Sequence, residues 1–258
     1  ISEDEAVAAL LQRFAIDAID IAPGKYFPDP AKATDLAIAR VKDWWSERGI
    51  EITGMQSLLF GTQGLNVFAT SESTAALLTH LTAICRIGAV LGATRLVFGS
   101  PKNRDRSGLS DGEAMGLAVA FFRQLGGVAQ SYGVIVCLEP NPTCYGANFM
   151  TTSAETAEVV KAVAHPFIRM QLDSGALAIN SERPADVLHD CAPLIGHVHA
   201  SEPDLVPLGD GGAVHGQVAA ALMQYLPGHV VSIEMVATKE ESHMVSIERA
   251  LKVAVHHY

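Results

Sequence analysis

The sequence predicts an α/β fold, a parallel β/α barrel of the eight-unit kind whose first strand is absent from this chain. Three observations predict it. Short segments rich in Ile and Val alternate with longer amphipathic ones along all 258 residues. No Ser/Pro/Gly-rich linker or charge block divides that alternation, so one domain over residues 1–258 is expected. A helical segment precedes the first of seven strands, where an eight-unit barrel would place a strand. Eight units of roughly 32 residues fill a barrel of this size. The rival is a doubly wound open sheet, but no GxGxxG follows a strand. The glycine loop FGTQGLNVF at 60–68 lacks both that spacing and the helix it should open.

The elements follow in order. An apolar stripe at helical spacing marks a helix at 4–12, and AIDAIDI at 15–21 reads as the first visible strand. A helix at 31–48 leads to IEITGMQSLL at 50–59, and a helix at 72–91 to TRLVFG at 94–99. Helix 112–131 precedes GVIVCLEP at 133–140, and helix 153–164 precedes FIRMQLD at 167–173. Helix 183–190, strand LIGHVHA at 194–200, helix 213–225, strand VVSIEMV at 230–236 and helix 243–257 complete the chain. Most of the helices open on Ser, Thr, Asp or Pro, which accept from or tolerate the unpaired N–H groups of a first turn. Parallel strands require crossovers of this length.

Composition narrows the partners. Apolar residues make up 49% of the chain, enough for a sizeable core, and disorder is excluded. A formal charge of -10 would repel phosphate backbones, so nucleic acid is not an expected partner. Cys85, Cys137, Cys144 and Cys191 have no CxxC spacing and read as thiols of a reducing compartment or simply as buried thiols. The start, ISEDEAVAALL, carries acids where a signal peptide carries bases, and no run reaches 18 uninterrupted apolar residues. A cytoplasmic protein without a membrane partner is the expectation.

Strands of a parallel barrel should be apolar almost throughout, so ionisable groups at their C-terminal ends need a reason. Four strands carry one: Glu139, Asp173, His199 and Glu234, spaced by 34, 26 and 35 residues. A closed barrel converges these ends on one axis. Three carboxylates and an imidazole facing each other repel unless a cation lies among them, and an O3N donor set suits Mn, Mg, Co or Zn. Each also has an ordinary structural use: Glu139 or Glu234 as a helix cap or arginine partner, Asp173 as the cap of the SGALAIN segment. His197 shares a face with His199, so one binds the cation while the other supports it.

The loops after the strands supply further candidates. In EPNPTCYG at 139–146 two prolines stiffen the chain, and Asn141 offers an amide to a substrate hydroxyl or carbonyl. FGSPKNRDR at 98–106 places Lys102, Arg104 and Arg106 together, either as a site for a substrate phosphate or carboxylate or as a solvated loop balancing nearby acids. Lys25, with Tyr26, and Gln56 follow strands and are expected to line the pocket. Trp44 and Trp45 read as packing of a helix on the sheet.

LEPNP at 138–142, LDSGAL at 172–177, HVHASEPD at 197–204 and SIEM at 232–235 resemble the xylose isomerase-like TIM barrels described as sugar phosphate isomerases/epimerases. That group includes ketose 3-epimerases, hydroxypyruvate isomerase and inosose dehydratase. The resemblance spans nearly the whole chain. It implies one divalent cation held by Glu139, Asp173, His199 and Glu234, with the two glutamates exchanging the substrate proton. Substrate contacts would come from Lys25, Gln56, Lys102, Arg104, Asn141, His197 and Glu202. The sequence departs from the epimerases at Ala176, where they carry a polarising histidine, at Leu205, where they carry an arginine, and at Tyr145, where they carry a second carboxylate. The endonuclease IV class of the same superfamily needs three zinc ions, more histidines and a basic surface, which this chain lacks.

The resemblance implies an isomerase or epimerase of a small sugar, sugar phosphate or polyol, working through a metal-stabilised enediolate and carboxylate proton transfer. Loss of a β-hydroxyl from the same intermediate would make a dehydratase instead. A catalytically weakened carbohydrate-binding protein is the reading from outside the enzymes. Fold analogy adds a homo-oligomer, although no sequence feature identifies an interface.

Overall fold

The structure, a computed structural model, describes residues 2–258. Its strands are β1 (Ala18–Ile21), β2 (Glu51–Met55), β3 (Arg95–Phe98), β4 (Ile135–Leu138), β5 (Ile168–Asp173), β6 (Ile195–Ala200) and β7 (Val231–Ile233). All pair parallel in sequence order, as one seven-stranded sheet curled into a nearly closed barrel. The strands are shorter than the apolar runs that announced them; β2, β3, β4 and β7 give up residues to the loops at the C-terminal mouth, whereas β1, β5 and β6 begin later than their runs.

The helices are α1 (Ser2–Arg13), α2 (Pro23–Tyr26), α3 (Asp35–Ser46), α4 (Ser71–Leu91), α5 (Asp111–Tyr132), α6 (Ser153–Val163), α7 (Ser174–Ile179), α8 (Pro184–Cys191), α9 (His215–Tyr225) and α10 (His243–His257). The two short ones, α2 and α7, were not anticipated as helices. Side chains of Thr34, Thr70 and Thr152 accept from backbone N–H groups of the first turns of α3, α4 and α6. Ser110 and Glu113 close a reciprocal capping box on α5. Such caps set where each helix begins, and so how far each loop runs over the mouth.

Helix α4 is long and apolar enough to cross a membrane by length and composition alone. Its apolarity has a local reason: Leu77, Leu81, Ile84, Cys85, Ile87 and Leu91 are buried in the main core between helices and sheet. Trp45 is buried there too and donates from Nε1 to the Tyr26 hydroxyl, whereas Trp44 stacks on Arg48. Cys85, Cys137 and Cys191 are buried, Cys144 is exposed, and all four are free thiols.

β1 and β7 each pair on one side only, and among the described residues no strand lies between them. This fits a barrel lacking its first strand. The gap is bridged on the outside by α1 and α10, which contact each other and exchange ion pairs, Glu3 with His243 and Arg13 with Glu248.

Candidate metal centre

Parallel register aligns the strand ends at one mouth. Asp173 is the last residue of β5 and His199 the penultimate residue of β6, and the two are register partners. Glu139 and Glu234 each follow the last residue of a strand, β4 and β7. Glu234 still donates its N–H to the Ala200 carbonyl at 2.9 Å, which holds its backbone to the sheet. One ligand atom from each of Glu139, Asp173, His199 and Glu234 lies within 4.8 Å of the other three. The sequence-predicted quartet is therefore assembled.

Each carboxylate is held differently. Asp173 caps α7, its Oδ1 accepting from the Ala176 N–H at 2.7 Å, while Oδ2 accepts from the Ser201 hydroxyl at 2.6 Å. Capping and ligation are thus compatible at this position. Glu139 Oε2 accepts from Asn141 Nδ2 at 3.0 Å, and Oε1 is buried without a partner. Glu234 Oε2 meets His199 Nδ1 at 3.2 Å. The other imidazole nitrogen of His199, Nε2, lies 3.6 Å from Asp20 Oδ2. That leaves Nδ1 facing the carboxylates.

The electrostatics follow from this crowding. Burial, then Glu234 and Asp173, push the Glu139 carboxyl up to about 8. Burial and Glu234 push Asp173 up to about 6. For His199 burial works toward the neutral form, but Glu234, the contact with Asp20 and Glu139 outweigh it and hold the imidazolium well above its ordinary range. A divalent cation would relieve the same repulsion that protons relieve here, and the donors are hard oxygens with one imidazole nitrogen. The unpartnered Oε1 of Glu139, buried among acids, is a ligand atom without a competing hydrogen bond. The residues fit a divalent ion.

Asp20 on β1 is a member of the site that the sequence reading missed. Its Oδ2 lies 2.5 Å from Nε2 of His197, with side chains only 5% and 2% exposed, so the pair is sealed from water. Burial would raise the Asp20 carboxyl, and the contacts with His197 and His199 outweigh it and hold it below its usual range. Asp20, His197 and His199 form a second group of donor atoms beside the first, sharing His199. The signal available was AIDAIDI, in which Asp17 and Asp20 look alike.

The other predicted contacts separate into two sets. Gln56 lines a cavity of about 200 Å³ together with Phe60, Gly99, Ser100, Glu139 and Glu234. Asn141 lines an adjoining one of about 250 Å³ that shares Gly99, Glu139 and Glu234. Ala176, Leu205 and Tyr145, the three departures from the epimerases, line the second cavity as well. Lys25 instead pairs with Asp4 at 2.5 Å in a cleft at the free edge of β1, beside Asp20 and Tyr26. Lys102 is exposed, and Arg106 is spent on Asp111 and the Asn148 carbonyl. Arg104 is wholly buried. His197 is occupied by Asp20. Glu202, also buried, gives Oε1 to the Gly209 N–H and to His215 Nε2, and Oε2 to the Ala213 N–H. Its carboxylate fastens the loop after β6, and the residue is part of the wall of the second cavity.

Comparison with known proteins agrees with this architecture. D-psicose 3-epimerase from Clostridium cellulolyticum H10, solved with D-tagatose, superimposes with a TM-score of 0.79 at 19% identity, covering 98% of this chain and 91% of that one. The 3-keto-D-glucoside 4-epimerase of E. coli gives 0.78 at 19% identity over 95% and 91%. An L-ribulose 3-epimerase gives 0.76 at 18% identity over 99% and 86%. At such identities the likeness is one of fold. No curated protein sequence matches the chain significantly. The profile of the xylose isomerase-like TIM barrel matches residues 8–253, and the chain belongs to that family.

Proposed function

We propose that the protein is a divalent-metal-dependent isomerase or epimerase of a small, uncharged carbohydrate or polyol. The observation that carries this reading is the position of Glu139 and Glu234, which line both cavities at the mouth while belonging to the quartet of ligand atoms. Glu139, Asp173, His199 and Glu234 would hold the cation. When bound, it would supply Lewis-acid stabilisation of the negative charge that develops when a carbon beside a carbonyl loses its proton. The residues of the chain do the rest. One glutamate takes the proton and the other returns it, to the opposite face in an epimerase or to the neighbouring carbon in an isomerase. Gln56, Ser57 and Ser100 on one side and Asn141 and Tyr145 on the other are neutral polar groups placed to orient hydroxyls. Asp173 stays fixed by its two hydrogen bonds.

The uncharged substrate is argued from the walls. Neither cavity is lined by a lysine or arginine among the described residues, and the carboxylates of their walls are Glu139, Asp173, Glu202 and Glu234. A phosphate or carboxylate would enter a field of its own sign with no cation from the side chains to receive it. Family membership and the epimerases that share the fold support the reaction class.

Solvent exchange tests the proposal. Mn2+-loaded protein in deuterated water should incorporate deuterium into at least one neutral ketose or keto-polyol of a broad panel. Glu139→Gln and Glu234→Gln should abolish the exchange. Incorporation into none of the panel would sink the proton-transfer reading, and incorporation only into phosphorylated or acidic sugars would sink the uncharged substrate.

A further inference from the structure

Arg104 is the largest fully buried side chain among the described residues, and it lies in the helical turn 101–104 after β3 rather than in the apolar core. Its Nη2 donates to Oδ1 of Asn141 at 2.5 Å, while Nε and Nη1 have no partner. Asn141 in turn donates from Nδ2 to Oε2 of Glu139 at 3.0 Å. The chain of contacts starts on a buried charge and ends on a carboxylate of the metal quartet. A guanidinium removed from water with two of its three nitrogens unpartnered is costly to a fold, so its place behind Glu139 calls for a role there.

We propose that Arg104 is a positioning residue for the cation site and acts through Asn141. It dictates which edge of the Asn141 amide meets Glu139, and so which oxygen of Glu139 remains for the cation. The inference rests on reading the quartet as a metal site. The two edges of a primary amide have nearly the same shape, so packing alone does not choose between them. Turned over, Asn141 would aim its own oxygen at the Glu139 carboxylate, acceptor against acceptor. A guanidinium only donates, so Arg104 admits a single orientation, with Oδ1 toward itself and Nδ2 toward Glu139. Oε2 is then occupied and Oε1 is left as the ligand atom, the oxygen without a hydrogen bond that faces His199 Nδ1 at 3.7 Å. Partners behind ligands commonly govern affinity in this way. The arginine that looked like a substrate anion site in the sequence thus serves the carboxylate behind the wall.

The test uses Mn2+ affinity by calorimetry and the visible spectrum of the Co2+-loaded protein. Asn141→Leu changes no charge and removes the donor to Glu139; it should weaken Mn2+ binding about tenfold or more and alter the Co2+ bands. Arg104→Met should do the same, Arg104→Lys should recover part of the loss, and the double variant should bind no more weakly than Asn141→Leu alone. The relay is overturned by unchanged affinity and spectrum in Asn141→Leu. It is equally overturned if Arg104→Met has the same effect with and without Asn141, or if it tightens binding, as loss of a nearby positive charge alone would. Should Arg104→Met fail to fold, Asn141→Leu decides. If the unsubstituted protein takes up neither ion, the metal reading falls and the relay with it; if it binds and the variants match it, the relay alone falls.

Discussion

A β-carbon placed on Gly99 would lie 2.0 Å from Oε2 of Glu139 and 3.0 Å from its Cδ. The residue just after β3 therefore leaves room for the carboxylate just after β4, and the oxygen in question is the one held by Asn141. A methyl group cannot share that space, so Gly99→Ala should drive Glu139 off Asn141 while leaving the fold intact. Turnover is expected to fall by about two orders of magnitude, the scale of misplacing a reacting group by an ångström. Circular dichroism and steady-state rates check it; wild-type turnover in a folded variant would show that the clearance is unimportant.

Proton and cation should compete for the quartet. Glu139 at about 8 and Asp173 at about 6 sit above their ordinary values of 4.5 and 3.8, so the folded chain holds protons that the unfolded chain has released. Stability from these groups is full below about pH 4 and lost as pH rises through 6 and then 8. The raised His199 acts in the same direction, and the lowered Asp20 acts only below this window. The metal-free protein should therefore melt at a lower temperature at pH 8.5 than at pH 6. Added Mn2+ should raise the melting temperature more at pH 8.5, where fewer protons must be displaced. Equal stabilisation by Mn2+ at both values would contradict the linkage.

Asp20→Asn keeps the size of the side chain but removes the charge facing His197 and His199. The cost should be about 1–3 kcal/mol, the range for a buried hydrogen bond to a charged partner left imperfectly made. Urea unfolding measures it. Mn2+ affinity should fall alongside, because His199 loses the group opposite its Nδ1. A variant as stable as the parent would show that the sealed pair contributes nothing net.

The Tyr145 hydroxyl accepts from the Asp204 N–H at 2.7 Å, and Asp204 and Leu205 both have left-handed backbones, φ 58° and 54°. Non-glycine residues in that region are strained, and this contact holds two of them in succession over the second cavity. Tyr145→Phe should release the loop at a cost of about 1 kcal/mol, which is a roughly fivefold rise in KM with a smaller change in kcat. An unchanged KM would place the loop outside substrate binding.

Much of the barrel and the quartet were legible because an acid or imidazole at the end of an apolar run is an anomaly that burial alone does not explain. Asp20 was not legible. Asp17 is exposed and Asp20 is sealed against His197, yet each reads as an acid in one short apolar run. Three residues apart they lie on opposite faces of a strand, and which face turns inward is decided by where β1 begins, at Ala18, and by its pairing with β2. The loop residues misled for a related reason. Lys25 and Arg104 sit after strand ends as substrate contacts should, but their side-chain directions are set by Asp4 and Asn141, 21 and 37 residues away in sequence. Position along a strand is a local property, whereas the direction of a loop side chain is not.

Asp173 is tied into the chain through both of its oxygens, to the first turn of α7 and to the Ser201 hydroxyl beyond β6. Ser201 in turn accepts from the Gly175 N–H and donates its own N–H to the Ser174 hydroxyl. A cation drawn to Asp173 would therefore grip two neighbouring strand ends at once, and the amides of Gly175, Ala176 and Ser201 should exchange with solvent more slowly once Mn2+ is added. The ion would act as a rivet between β5 and β6 as well as a reagent.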